Sequence, residues 1–162
     1  MQRPSGLSAR DWMGLVSWVF VSYLAALVGS GAGDPSAYYA ELTPPPGAPP
    51  GWLFGPVWGA LYALMGLAAW LVWLRRGRQG VRGAIRAFWL QLVLNAAWPW
   101  LFFGARSPGL ALLGIVVLLA AVGWTTVRFW RVRSDAGALL LPYVAWVLFA
   151  TYLNAGFWWL NP

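Results

Sequence analysis

Charged residues cut the chain into five apolar runs, 12–33, 51–74, 87–105, 107–127 and 136–160, none containing an Asp, Glu or Arg. Each is close to the roughly 20 residues that a helix needs to cross about 30 Å of hydrocarbon. The pattern predicts an all-α membrane protein: one domain, 1–162, built as a bundle of five transmembrane helices. Local punctuation supports the limits. Ser107-Pro108 has the form of an N-cap followed by a first-turn proline, and Arg75-Arg76-Gly77 stops the second run. Between the first two runs, segment 34–50 carries Tyr38, Tyr39 and then Thr43-Pro44-Pro45-Pro46-Gly47-Ala48-Pro49-Pro50, whose prolines exclude a helix there. Such a segment is either a stiff spacer or an ordered lid. The Tyr pair, able to pack on a bundle rim, favours the lid.

Composition turns this pattern into a statement about solvent. The chain is 60% apolar and 9% charged, against about 25% charged in soluble domains, so lipid is the expected surround. It has no Cys and no His, which removes disulfides, thiolate nucleophiles, imidazole bases and the usual zinc, haem-iron or copper ligands. No metal site and no obligatory cofactor are expected, and binding is favoured over catalysis.

Net charge is +7, from 11 basic residues against four acids, and the placement of the arginines decides what it means. With five spans, Arg3, Arg10, Arg75, Arg76, Arg78, Arg82, Arg86, Arg128, Arg131 and Arg133 fall on the N-terminal side, and Arg106 alone on the other. The positive-inside rule then puts the N-terminus and both Arg-rich loops in the cytoplasm. These arginines lie between apolar runs, so anionic lipid, not nucleic acid, is their expected neighbour. The first run is longer than the apolar core of a cleaved secretory signal. Every acid lies in a loop or at a span end, which argues against ion-coupled transport, and no internal repeat is visible.

The polar and aromatic residues inside the runs are the candidates for function. Gln91, Asn95, Trp98 and Phe102 share one face of the third span; Trp58, Tyr62 and Met65 share one of the second; Tyr143, Trp146, Ala150 and Asn154 share one of the fifth. Three such faces can converge. Buried amides can also simply join helices, and Gln91, Asn95 and Asn154 are open to either reading. Trp12, Trp52, Trp73, Trp89, Trp130, Trp158 and Trp159 lie near span ends and read as interfacial belt residues. Trp58, Trp98 and Trp146 lie deeper, beneath the Pro-rich segment, and suit a pocket for a flat, largely apolar, stacking ligand. Pro56, Pro99 and Pro142 are candidate kinks, while Gly55, Gly59 and Ala63, and Ala25, Gly29 and Gly33, are candidate rows for close helix approach.

Several of these motifs resemble one known family. Tyr38-Tyr39 and the proline cluster, Pro49-Pro50-Gly51-Trp52-Leu53-Phe54-Gly55-Pro56-Val57-Trp58, Leu61-Tyr62-Ala63-Leu64-Met65-Gly66, Leu94-Asn95-Ala96-Ala97-Trp98-Pro99, Leu141-Pro142-Tyr143 and Ala150-Thr151-Tyr152-Leu153-Asn154 are similar to the signature of the tryptophan-rich sensory protein, or translocator protein, family (TspO/MBR, the peripheral benzodiazepine receptor). The resemblance implies a homodimeric five-helix membrane receptor or translocator, with a regulatory or stress-response role, that binds tetrapyrroles such as protoporphyrin IX or haem under a lid. It implies a site lined by Tyr39, Trp58, Tyr62, Asn95, Trp98, Trp146 and Ala150. For some bacterial members it also implies light- and oxygen-dependent porphyrin breakdown, with Trp58 and Trp146 as the reactive indoles, the alternative reading. A bacterial cytoplasmic membrane is the expected location. Two departures stand out. Pro44 and Gly47 occupy the places of the family's Lys and Trp before the Pro-Pro pair, and no basic residue follows Tyr152, so cholesterol recognition is not expected.

Overall fold

The computed structural model describes residues 6–33 and 35–162. Arg3 and Asp34, both counted above among the charges, lie outside the described residues. Within them all regular structure is helical: α1 Ala9–Ser30, α2 Pro35–Glu41, α3 Phe54–Trp73 after a single 3-10 turn Gly51–Leu53, α4 Val81–Pro99, α5 Pro108–Val132, α6 Ser134–Ala138 and α7 Leu141–Leu160.

Helix limits depart from the apolar runs where caps decide them. α1 begins at Ala9, three residues before the run, because Ser8 and Asp11 form a capping box: the Ser8 hydroxyl accepts from the Asp11 N–H at 3.3 Å, and the Ser8 N–H donates to the Asp11 carboxylate at 3.1 Å. α4 begins at Val81 instead of 87, after Gly80 at φ 87, a left-handed conformation that glycine takes without a Cβ penalty. It thereby includes Arg82 and Arg86, both exposed. α5 runs on through Arg128 and Arg131. Loss of apolarity does not end a helix, since Arg is a good helix former and its long side chain can reach polar surroundings. The last run is broken after Ala138 into α6 and α7. The segment expected to be a lid contains α2 ahead of its prolines, and the proline stretch itself is not helical.

Two of the three candidate kink prolines fall where a helix tolerates proline without bending. Pro56 and Pro142 stand in the first turns of α3 and α7, where the missing N–H would have had no intrahelical partner. Pro99 closes α4, and the chain continues through a wide π turn, Trp100–Gly104.

Four stretches are long and apolar enough to cross a membrane: Ala9–Ser30, Gly51–Trp73, Pro108–Val132 and Ser134–Leu160. This is an integral membrane protein. α4, at 19 residues, is less apolar because it carries two arginines and the amides Gln91 and Asn95, which it turns inward to 1% and 3% exposure. It sits in the middle of the bundle, packed on α1 and α5, while α1 also packs on α3 and α5 on α7.

The bundle has two ends of different texture. At the end that carries most of the arginines, Ala68, Ala69, Val72, Ala84, Phe88, Val122 and Phe129 are wholly buried. Close helix approach there rests on Gly66, where a Cβ would lie 2.5 Å from Val19 Cα, and on Gly137, where it would lie 2.8 Å from Trp130 Cα. Of the expected rows, Gly29 abuts Pro99 of α4, but Gly55 and Gly59 face nothing within 4 Å. Six of the seven belt tryptophans are exposed, the exception being half-buried Trp73, whose ring lies 4.1 Å from the Arg76 guanidinium. Trp70, by contrast, is buried and donates its indole N–H to the Asp11 carbonyl at 2.7 Å.

Candidate ligand cavity beneath the Pro-rich lid

At the opposite end the helices enclose a cavity of about 690 Å³. α3 contributes Phe54, Trp58 and Tyr62, spaced at i, i+4 and i+8 and therefore on one face. α4 contributes Asn95 and Trp98, and α7 contributes Trp146, Ala150 and Asn154 by the same spacing rule. α2 closes the cavity with Tyr39. Tyr39, Trp58, Tyr62, Asn95, Trp98, Trp146 and Ala150, the residues singled out in the sequence, thus lie on one wall system. Gln91 does not line it.

Aromatic packing shapes the walls. Trp58 leans on Tyr62 with ring centroids 5.6 Å apart, Trp98 stacks on Phe102 at 5.3 Å, and Phe54 meets Trp146 edge to face at 5.8 Å. Most polar atoms of the lining are already engaged. The Tyr62 hydroxyl donates to Asn95 Oδ1 at 2.6 Å. The Trp98 indole N–H is shared between the Ala111 carbonyl at 3.1 Å and Asn154 Oδ1 at 3.2 Å, and Asn154 Nδ2 donates to the Pro108 carbonyl at 2.7 Å. Asn154 therefore joins α7 to α4 and the start of α5 while it lines the cavity. Trp146 differs, for its buried indole Nε1 has no partner among the described residues. Among the described residues no Asp, Glu or Arg lines the cavity. Its chemistry is therefore stacking, apolar burial and a few neutral hydrogen bonds.

A family model described as TspO/MBR matches residues 15–160. The chain belongs to the TspO/MBR family. It is similar to the human protein named Translocator protein, 38% identical over 154 residues that cover 93% of this chain and 91% of the relative. It is also similar to Tryptophan-rich protein TspO of Chlorobaculum tepidum, 43% identical over 78% of this chain and 81% of that one, and to Protein CrtK of Rhodobacter capsulatus, 36% identical over 89% and 93%.

In this TspO/MBR chain the segment after α1 is fastened over the cavity at several points. The Tyr39 ring packs edge-on against Phe54 and Phe157, at 5.7 and 5.3 Å, and its hydroxyl donates to the Pro49 carbonyl at 3.1 Å. Tyr38 is buried, and its hydroxyl donates to the Arg106 carbonyl at 3.2 Å. The Arg106 guanidinium lies 5.2 Å from the Tyr38 ring and pairs with Glu41 at 3.1 Å. The proline stretch is held by α7: Tyr152 donates to the Pro46 carbonyl at 2.9 Å, and the Asn161 side chain bonds both the N–H and the carbonyl of Thr43, at 2.8 and 3.1 Å. Pro45 sits on Gly156, where a Cβ would come within 2.5 Å of it. Burial raises the pKa of both lid phenols, opposed at Tyr38 by the Arg106 charge and reinforced there by Glu41. At neutral pH they remain protonated donors.

Sequence reasoning missed part of the TspO/MBR cavity lining. Phe54 and Phe157 extend the α3 and α7 stripes by one step each, four residues before Trp58 and three after Asn154, a signal that helical spacing already contained. Ala26, Gly29 and Ser30 of α1, and Ile115 and Leu118 of α5, also line the cavity. Small and aliphatic residues inside an apolar run carry no mark that separates cavity wall from lipid contact.

Proposed function

We propose that the protein is a five-span membrane receptor or translocator that binds a tetrapyrrole, protoporphyrin IX or haem, in the cavity beneath the lid. The observation that carries this reading is the cavity itself. Its volume of about 690 Å³ lies within the range of about 300–1,000 Å³ usual for ligand sites. It is walled by the indoles of Trp58, Trp98 and Trp146, which suit a flat aromatic ring system. With no charged side chain in the lining among the described residues, the macrocycle would be buried while ionised carboxylates stayed at the mouth, since an unpaired charge is costly inside. α4 would be the fifth span, its amides facing the interior and its arginines at one end. That count leaves the Arg-rich loops and the N-terminus on the cytoplasmic side of a bacterial membrane. The family likeness supports a homodimer and a regulatory role in pigment or stress responses.

Tryptophan fluorescence titrated with protoporphyrin IX tests the site. Saturable quenching is expected, with apparent affinity reduced about tenfold or more in the Trp58→Phe/Trp146→Phe variant, equivalent to about 1.4 kcal/mol. Quenching that never saturates, or an affinity unchanged in the variant, would overturn it.

A further inference from the structure

Behind the cavity wall the polar residues form a directed chain. Tyr62 donates to Asn95 Oδ1 at 2.6 Å, Asn95 Nδ2 donates to the Tyr143 oxygen at 2.9 Å, and the Tyr143 hydroxyl donates to Gln91 Oε1 at 2.9 Å. The chain links α3, α4 and α7 and ends on Gln91, which is 1% exposed and whose Nε2 has no partner among the described residues. In this direction the cavity-side member, Tyr62, spends its proton inward and offers the cavity only an acceptor oxygen.

Every member of the chain can act as donor or acceptor. A hydroxyl rotates, and an amide turned by half a revolution exchanges oxygen for nitrogen with almost no change of shape. Turning Asn95 and Gln91 reverses the whole chain without moving a helix: Gln91 Nε2 donates to Tyr143, Tyr143 to Asn95 Oδ1, and Asn95 Nδ2 to Tyr62. The Tyr62 proton is then free to point into the cavity. The two directions differ at both ends. One leaves the buried Gln91 amide nitrogen unpaired, and the other leaves its carbonyl oxygen unpaired, the less costly omission. A ligand acceptor beside Tyr62 completes the reversed chain, and a ligand donor completes the forward one.

We propose that Gln91, although it does not touch the cavity, makes the cavity amphoteric: its amide lets the chain run either way, so Tyr62 meets ligand acceptors and ligand donors alike. Gln91 is thus a positioning residue that sets hydrogen-bond selectivity through Tyr143 and Asn95. The inference deepens the ligand-cavity reading but does not depend on the ligand's being a tetrapyrrole.

The test uses two flat three-ring probes of matched shape, fluorenone, which only accepts a hydrogen bond, and carbazole, whose N–H donates one. Both are titrated against the detergent-solubilised full chain by tryptophan fluorescence. Gln91→Met keeps the side-chain length but removes the acceptor for Tyr143, which must then donate to Asn95 and fix the chain in the reversed direction. The expected result is carbazole affinity reduced about tenfold with fluorenone affinity held within twofold. Gln91→Glu restores an acceptor for Tyr143 and should recover carbazole binding. In a Tyr143→Phe background, which cuts the chain, Gln91→Met should leave the ratio of the two affinities unchanged. Equal losses for both probes on Gln91→Met, an unchanged ratio, or a wild-type chain that binds neither probe would each overturn the proposal. Discrimination between these probes without saturable protoporphyrin quenching would overturn the tetrapyrrole reading and leave this one standing.

Discussion

The two ends of the bundle use the same helices to opposite ends. Toward the Arg-rich loops, alanines and glycines at the crossings, Ala68, Ala69, Ala84, Gly66 and Gly137, let the backbones approach, and Phe88 stacks on Phe129 at 5.9 Å in a filled core. Beneath the lid, the same α3, α4 and α7 carry Trp58, Trp98 and Trp146, and a cavity of about 690 Å³ lies between them. Rings hold helices apart but, braced edge to face against one another, cannot fill the space they create. The difference teaches that a chain rich in bulky aromatics need not be densely packed. Small residues make the solid end, and large ones make the hollow end.

The largest expected effect comes from adding volume where there is none to spare. Gly66→Val drives a side chain into the Val19 backbone and should cost about 3 kcal/mol, the upper range for overpacking. Gly55→Val, at the hollow end of the same helix with nothing within 4 Å, should cost less than about 0.5 kcal/mol, as a substitution that meets no neighbour does. Thermal unfolding of both in detergent checks the contrast, and equal losses would erase it.

A smaller loss is expected from the polar layer between the two ends. Asn95→Leu removes the acceptor of Tyr62 and the donor to Tyr143 at once, and should destabilise by about 2 kcal/mol, since two buried hydroxyls then lose partners. A companion Tyr62→Phe/Asn95→Leu variant, which removes one orphaned hydroxyl, should recover part of that loss in the same unfolding assay.

The smallest effect on stability is expected for Trp146→Phe. The indole N–H has no partner among the described residues, so removing it relieves an unsatisfied donor while reducing ring contact with Phe54 and Phe149. The two contributions offset, and the unfolding free energy should change by less than about 1 kcal/mol, while porphyrin quenching weakens. A large fall in stability would instead make Trp146 a structural strut of the hollow end.

Much of this was legible along the chain. The charge-free runs located the long helices, and the spacing of Trp58 with Tyr62, Asn95 with Trp98, and Trp146 with Ala150 placed each pair on one face. Less legible was where helices begin: the Ser8–Asp11 capping box and the left-handed Gly80 moved two starts away from the apolar boundaries. The dual position of Asn154, bonded to Trp98 and Pro108 while lining the cavity, could not be chosen from spacing, because an inward amide looks the same whether it joins helices or faces a ligand.

By itself, the sequence determined the solvent, the helical class, the family and the stripes that turn inward, because each follows from periodicity and from residue types met in order. Only the tertiary structure decided that the stripes leave an open space between them, how large that space is, and that Gln91 stands behind its wall at the end of a hydrogen-bonded chain. Those depend on how far apart neighbouring helices are held, a quantity set jointly by side chains on different segments, so no single segment contains it.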